Sequence, residues 1–250
     1  MKIERAQQLL EMTRDAYDSA AGEFSASRAR FWEELEYLLS YAEPGMNALD
    51  IGCGNGRLYP PLQERNVDYA GVDNSEGLLK KARALYPGAN FVNGDATALP
   101  FPDHSFDIAY SFATLHHMPG KRSRQLFVKE SARVLKEKGV LVLTVWNLWT
   151  PKYIFPLVLS FFACIFSGLD AKDLLLPLGK DGPASASQGF GEARRKRYLH
   201  AFTKRDLGKL LEESGFAVES IKTVARKSGA RNIVIIARVM LRQRGKKTGS

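Results

Sequence analysis

The sequence predicts an α/β fold: an open, mostly parallel sheet of seven strands with helices on both faces. Three observations predict it. A mostly apolar run, Met46 to Ile51, ends in Gly52-Cys53-Gly54-Asn55-Gly56, and a helix-like segment starts near Arg57. Strand, glycine-rich turn and helix in succession make one corner of a doubly wound sheet. Two more strand-like runs follow, each after a helical stretch, one ending at Asp73 and one leading into Asp95. A continuous apolar run, Val140 to Trp146, suits a strand buried on both faces.

The elements follow in order. Residues 3–21 carry Ile3, Ala6, Leu9 and Leu10 at helical spacing, and Phe31 to Tyr41 repeats the pattern with Phe31, Leu35, Leu38 and Leu39. Pro44-Gly45 breaks this second helix before the first strand. The two helices precede the glycine corner and can cap its mouth, which would bring Tyr17 and Arg28 toward it; on these residues alone, ordinary surface packing is the favoured reading of the two. Arg57 to Arg65 fits a crossover helix, weakened by Pro60 and Pro61. Val67 to Asp73 is the second strand, Ser75 caps a helix to about Tyr86, and Ala89 to Val92 is the third strand. Phe106 to Phe112 is the fourth, followed by the loop Ala113 to Met118, with His116 and His117. A helix over Lys121 to Lys136 turns at Glu137-Lys138-Gly139 into the fifth strand, which puts Trp146 at a strand end. Thr203 caps a helix to about Ser214, and Phe216 to Val224 and Asn232 to Met240 are the last two strands.

Residues 151–190 break this rhythm. Ile154 to Leu169 is apolar but contains Pro156 and is short for a bilayer span, which needs about 20 residues. It reads as a core or lid helix, with a partner or membrane-surface contact as the other reading. Leu178 to Gly191 is rich in Gly, Pro, Ser and Ala and reads as mobile. The basic stretch Arg194 to His200 holds Arg197, Tyr198 and His200; it reads either as a substrate-holding cluster, with Tyr198 stacking a splayed base, or as a solvated loop.

Ligands of open parallel sheets bind at the carboxyl ends of the strands. There the glycines let the backbone approach a ligand closely, because no Cβ intrudes. Asp73, roughly 20 residues past the glycine turn, can accept hydrogen bonds from ribose hydroxyls. Asp95 is placed to bond an exocyclic adenine amine, and Ala96 can offer its backbone N–H to the ring.

GxGxG preceded by Asp50 resembles motif I of the class I S-adenosylmethionine (SAM) methyltransferases, and with Asp73 and Asp95 the resemblance extends over three successive strand ends. It implies a Rossmann-like methyltransferase fold and a SAM site of Tyr17, Asp50, Gly52, Cys53, Gly54, Asn55, Gly56, Asp73, Asn74, Asp95, Ala96 and Ser111. Three further stretches, Ala16-Tyr17-Asp18 with Phe24 to Arg28, Leu115-His116-His117 and Arg197 to His200, resemble the tRNA wobble-uridine carboxymethyl O-methyltransferases, as does the strand ending Val145-Trp146. That resemblance covers about Ala16 to Val239, with no counterpart for 151–190. It implies tRNA as a partner, a small zinc-containing activator subunit as a second, and methylation of a carboxylate. Arg28 and His116 are then the candidate catalytic residues, holding the acceptor, with Trp146, Arg197, Tyr198 and His200 also on the substrate side. His116 can instead be a neutral packing residue, and His117 reads as structural. Two other functions share the same motifs: methylation of a small metabolite or lipid-like acceptor, and a SAM-binding interaction protein without turnover.

The chain has 250 residues, and 36 Lys and Arg against 27 Asp and Glu leave a net charge of +9. That excess suits an anionic partner such as nucleic acid or a membrane surface, and equally simple solubility. Cys53 and Cys164 form neither a disulfide framework nor a metal pattern, so no metal is expected and a reducing cytoplasm is. Met1 to Glu11 is polar and amphipathic and does not read as a signal peptide; no membrane contact is expected. The expected organisation is a helical cap over 1–45, a SAM-binding core over 46–150, an insertion and substrate-binding loop over 151–200, the C-terminal part of the core over 201–240 and a basic tail over 241–250.

Overall fold

A computed structural model describes residues 1–28, 30–178 and 195–241. The segments 179–194 and 242–250, which include the stretch read as mobile, Arg194 and the basic tail, lie outside the described residues.

The chain opens with helices α1 (Ile3–Ser19) and α2 (Ala21–Ala26) and a 3-10 helix over Glu33–Tyr41. Strand β1 (Asn47–Ile51) follows, then α3 (Tyr59–Gln63), β2 (Asp68–Asp73), α4 (Glu76–Leu85), β3 (Asn90–Asn93) and β4 (Phe106–Phe112). After a 3-10 turn at Leu115–His117 come α5 (Gly120–Val134), β5 (Leu135–Trp146), α6 (Pro151–Ser167), β6 (Asp173–Pro177) and β7 (Lys196–His200). The last elements are α7 (Lys204–Glu212), β8 (Phe216–Ala225) and β9 (Arg231–Val239). Seven strands form one sheet in the order β3-β2-β1-β4-β5-β9-β8, while β6 and β7 pair separately as an antiparallel ribbon. β1 to β5 run parallel, and β9 is antiparallel to both β5 and β8. The order reverses between β1 and β4, so a crevice opens outside their carboxyl ends.

Side-chain alternation divides the core between the two faces. Leu141, Leu143, Ile233 and Ile235 pack with Phe127 and Leu207 from α5 and α7 on one face. Val140, Val142, Val234 and Ile236 pack with Leu35, Leu38 and Leu62 on the other. Continuous apolar runs are needed where both faces are covered, and β5 and β9 supply them. Ser75 caps α4 by accepting from the Leu78 N–H, and Thr203 with Asp206 closes a capping box on α7.

Several expectations change. The helix expected over Phe31 to Tyr41 is 3-10 in form. The crossover helix shrinks to five residues, with Pro60 and Pro61 in its first turn and Asn66, at φ 56°, leading out. The helix expected to reach Lys136 ends at Val134; the chain goes straight into β5, and Lys138 at φ 62° takes up the irregularity. α2, β6 and β7 had no sequence signal. α6 is neither core nor lid: Ile154, Phe155, Phe161 and Phe162 are exposed, and the helix touches the fold through Leu157 and the Leu174–Leu199 cluster. Among the described residues, no helix is long and apolar enough to cross a membrane.

Candidate active site

The glycine turn after β1 takes the left-handed backbone three times, at Gly52 (φ 77°), Gly54 (φ 58°) and Gly56 (φ 78°). The three glycines answer different demands. A Cβ on Gly52 would meet the Thr114 side chain at 2.2 Å, and one on Gly56 would meet the Phe91 ring at 2.5 Å. Around Gly54 nothing stands closer than 3.8 Å, so its missing side chain leaves room in the cleft itself. Gly56 therefore serves packing and does not line the cleft, contrary to the expectation from motif I.

Asp73 ends β2 beside this turn. One carboxylate oxygen accepts from the Gly54 N–H and the other from the Ser75 N–H, each at 2.9 Å. Each oxygen keeps a lone pair for a diol. Burial holds the Asp73 carboxyl above its ordinary range, against the pull of those two N–H groups. Asp50 lies beneath the turn, accepts from Tyr69 Oη at 3.0 Å and is pushed by burial up to about 7. Cys53, Asn74, Ser75, Asp95 and Ala96 complete this wall. Asp95 spends one oxygen on the Thr97 N–H at 2.7 Å. The wall fits a nucleoside carrying a cationic tail: an open glycine at the closest approach, then two carboxylates at successive strand ends.

The N-terminal segment is clamped over the crevice by side chains. Asp18 Oδ1 accepts from Ser75 Oγ at 2.6 Å and from the Gly77 N–H at 2.9 Å, which ties α1 to the start of α4. The Asn55 amide donates to Ser25 Oγ and to the Arg28 carbonyl, both at 3.1 Å, which ties the glycine turn to the segment carrying Arg28. Tyr17 reaches across to His117 Nε2 at 3.1 Å, and Arg197 Nη1 donates to Tyr17 Oη at 3.3 Å.

Arg28, Arg57 and Arg226 line the cavity and Arg197 packs behind its Trp146 wall, and each of these four lies over an aromatic ring: Arg28 over Phe24 (4.0 Å), Arg57 and Arg226 over Trp32 (3.6 and 4.5 Å) and Arg197 over Trp146 (4.6 Å). Among the described residues none of the four makes an ion pair within 4 Å. Burial, and then the neighbouring guanidinium groups, push Arg28 down and bring Arg57 to about 9; burial also lowers Arg226. This end of the cleft is a cationic, aromatic wall.

The histidines exchange places relative to expectation. His117 lines the cleft, whereas His116 is fully buried behind it against Trp146. His116 Nδ1 accepts from the Trp146 N–H at 3.4 Å, and its Nε2 has no partner among the described residues. Burial holds His116 well below its ordinary range. The adjacent residues of a 3-10 turn point different ways, and nothing in the sequence says which one faces the crevice. Ser111 also misses the cleft: its hydroxyl is buried within the sheet, and Ala113 and Thr114, just past β4, line the cavity instead.

Tyr198 and His200 are structural. Tyr198 is fully buried and donates to Asp173 Oδ1 at 2.6 Å, the same oxygen that lies 2.7 Å from His200 Nδ1, while Arg124 donates to Tyr198 Oη at 3.2 Å. Base stacking by Tyr198 is excluded, and so is a solvated loop, because the stretch is a buried strand under α1. Trp146 does line the cleft, whereas Arg197 is buried behind it, over the Trp146 ring and against Tyr17 Oη. Arg57, Arg226, Trp32 and Thr114 are cleft residues that sequence reasoning missed. Arg57 stands directly after the glycine turn, a position worth weighing; Arg226 sits in a hairpin turn without local signal.

Comparison with known proteins agrees with this geometry. A family model described as a methyltransferase domain matches residues 49–143. The tRNA (carboxymethyluridine(34)-5-O)-methyltransferase of Schizosaccharomyces pombe is 28% identical over 220 residues, covering 83% of this chain and 90% of that protein. A protein of Encephalitozoon cuniculi carrying a methyltransferase name is 41% identical over 134 residues, 52% of this chain and 60% of the relative, so the match spans less than two thirds of that protein. In the solved complex between the Haloferax volcanii Trm112 methyltransferase activator and a methyltransferase, one chain superposes with a TM-score of 0.64 at 16% identity, over 92% of this chain and 98% of that one. The fold is that of the class I SAM-dependent methyltransferases, and its first five strands carry the match to the methyltransferase domain. Within that class, the chain resembles the tRNA wobble carboxymethyluridine O-methyltransferases.

Proposed function

We propose that the protein transfers the methyl group of SAM to the carboxylate of a carboxymethyl-type uridine at the wobble position of tRNA. The observation that carries this reading is the acceptor end of the cleft: arginines stacked on aromatic rings, with Arg28 at the mouth and a lining histidine, His117, whose ring nitrogens are both engaged. The resemblance to the fission-yeast enzyme supports it independently. By the same resemblance, and from the likeness to a chain of the archaeal activator complex, a small zinc-containing activator subunit is the second partner of this reading.

When bound, SAM supplies an electrophilic methyl group on a sulfonium. Gly52, Cys53, Gly54, Asp73, Asn74, Asp95 and Ala96 would hold it, with Asp73 on the ribose hydroxyls and Asp95 toward the adenine. A carboxylate acceptor, with a pKa near ~4, is already ionised at neutral pH, so no group here has to remove a proton. Arg28 offers the planar fork that grips one edge of such an anion through both oxygens and leaves each oxygen a second lone pair with which to attack. Tyr17 and Arg197 close the mouth from above and hold water out. The chain's contribution is therefore alignment and anion stabilisation. Among the described residues, no part of α6 lines the cleft, which weighs against an apolar lid for a small lipid-like acceptor.

The test is to incubate unmodified and carboxymethyl-modified tRNA with the protein and isotopically labelled SAM, then analyse the nucleosides by mass spectrometry. The expected product is a labelled methyl ester of the wobble nucleoside. Label on a base carbon or a ribose hydroxyl, or in no nucleoside at all with and without an activator subunit, would overturn the assignment.

A further inference from the structure

We propose that Arg57 and Arg226, gathered over Trp32, form a second anion subsite that takes a backbone phosphodiester of the RNA beside the acceptor nucleotide. This inference rests on the functional reading above and extends it from the acceptor carboxylate to its neighbour.

Two guanidinium groups from remote parts of the chain meet at one ring. Arg57 follows the glycine turn, and Arg226 sits in the turn between β8 and β9. β9 runs antiparallel to β5, so that hairpin turn lies at the carboxyl ends of the parallel strands. Arg57 lies 3.6 Å and Arg226 4.5 Å from the Trp32 ring centre, and all three residues line the cleft. Two like charges brought this close in a partly buried site repel. Nothing nearby offsets them fully. Glu34, the acid acting on Arg226, accepts from the Lys227 N–H, and Lys227 itself pairs with Glu33. Asp50, the acid acting on Arg57, is spent on Tyr69. Arg57 Nη1 and Arg226 Nε are buried donors with no acceptor among the described residues.

Buried cations and unmet donors are costly unless an anion supplies both charge and acceptors. A phosphodiester fits this arrangement: a single negative charge on two equivalent oxygens, matching guanidinium forks. Arg28 adjoins the pair closely enough for its charge to act on Arg57, but it stacks on a different ring, Phe24, beside Tyr17 and Arg197. The acceptor carboxylate and the adjacent phosphate thus meet separate arginines of one cationic wall.

The experiment compares the dinucleotide UpU with uridine, by calorimetry on protein loaded with S-adenosylhomocysteine. The expected result is at least tenfold tighter binding of UpU, one charge-assisted hydrogen bond being enough for that. R226Q and R57Q should each erase most of the difference, and R226K should restore only part. S-adenosylhomocysteine affinity, measured first in each variant, reports whether the cleft is intact. R226Q changes a hairpin position and keeps the test open if R57Q disturbs the glycine turn. UpU preference unchanged in R226Q, or absent in the wild type, would overturn the subsite. Uridine monophosphate binding more tightly than UpU would overturn the diester in favour of a free nucleotide. If tRNA gains no methyl ester but R226Q still abolishes the UpU preference, the subsite stands and the wobble-carboxylate assignment falls.

Discussion

Tyr17 donates its hydroxyl hydrogen to His117 Nε2 across 100 residues of sequence, at 3.1 Å. The imidazole can only accept there, because its Nδ1 lies 2.8 Å from the Tyr198 carbonyl and must carry the proton. One neutral tautomer is thereby fixed, and it joins α1, the loop after β4 and β7 at a single ring.

That ring sets a pH dependence. Burial and Arg197 push His117 down to about 3, from an ordinary value near ~6.5. Between these values the unfolded chain binds the proton and the folded chain does not, so this group's contribution to stability falls as pH drops from about 6.5 toward about 3. His116 and His200, also lowered by burial, act in the same direction. Asp50, raised to about 7, acts oppositely: its folded form keeps a proton that the unfolded chain loses above about 4. Urea denaturation of wild type and His117→Gln from pH 4 to 7 should show a shallower fall toward acid in the variant. An unchanged slope would mean that His117 is protonated in the folded state.

Asp73 anchors the Gly54 and Ser75 N–H groups, and in the proposed SAM site it also faces the ribose. Asp73→Ala is expected to lower SAM affinity by at least tenfold, through lost charge-assisted hydrogen bonds. Calorimetry measures this directly. Asp73→Asn keeps one acceptor oxygen and should lose less. Equal affinity in all three proteins would remove Asp73 from the cofactor site.

The two cleft glycines separate folding from binding. Gly52→Ala places a methyl group 2.2 Å from Thr114 and should unfold at markedly lower temperature. Gly54→Ala meets nothing closer than 3.8 Å, so it bears only left-handed backbone strain of about 1–2 kcal/mol. It should fold, yet bind SAM far more weakly. Thermal unfolding with and without SAM distinguishes the pair; a Gly54→Ala protein stabilised by SAM as strongly as wild type would show that the turn does not contact the cofactor.

Arg28→Ala is expected to abolish most methyl transfer while leaving SAM affinity near normal. Arg28→Lys should rescue little, since an ammonium cannot reproduce the planar fork. The pH profile of turnover adds a second check. A carboxylate acceptor needs no base, so the rate should show no acid limb near pH ~6.5. Such a limb, lost in His117→Gln, would instead identify a hydroxyl or amine acceptor.

The cofactor half of the cleft was legible because its constraints are local. A left-handed turn demands glycine at fixed spacing, and an acid at a strand end is visible one residue after the apolar run stops. The end of the cleft proposed for the acceptor is assembled from α1, the loop after β4 and the β8–β9 turn, segments more than 200 residues apart, and no local pattern encodes their meeting. Tyr198 and His200 read as surface residues because they follow a run of basic side chains. Asp173 and Arg124, 25 and 74 positions away from Tyr198, are what make their burial tolerable. Alternation could not choose between His116 and His117, since a 3-10 turn has neither the strand period nor the α period.

The Asn55 amide holds the Arg28 carbonyl from inside the glycine turn. The Arg28 segment, proposed to grip the acceptor, is thus mounted on the loop proposed to receive the cofactor, and the expected consequence is kinetic: cofactor binds first, acceptor second, and the methylated product departs before the spent cofactor. Initial-rate kinetics check this order. S-adenosylhomocysteine should compete with SAM, and carboxymethylated RNA should bind poorly to cofactor-free protein. Equal RNA affinity with and without cofactor would show that the two halves of the cleft load independently.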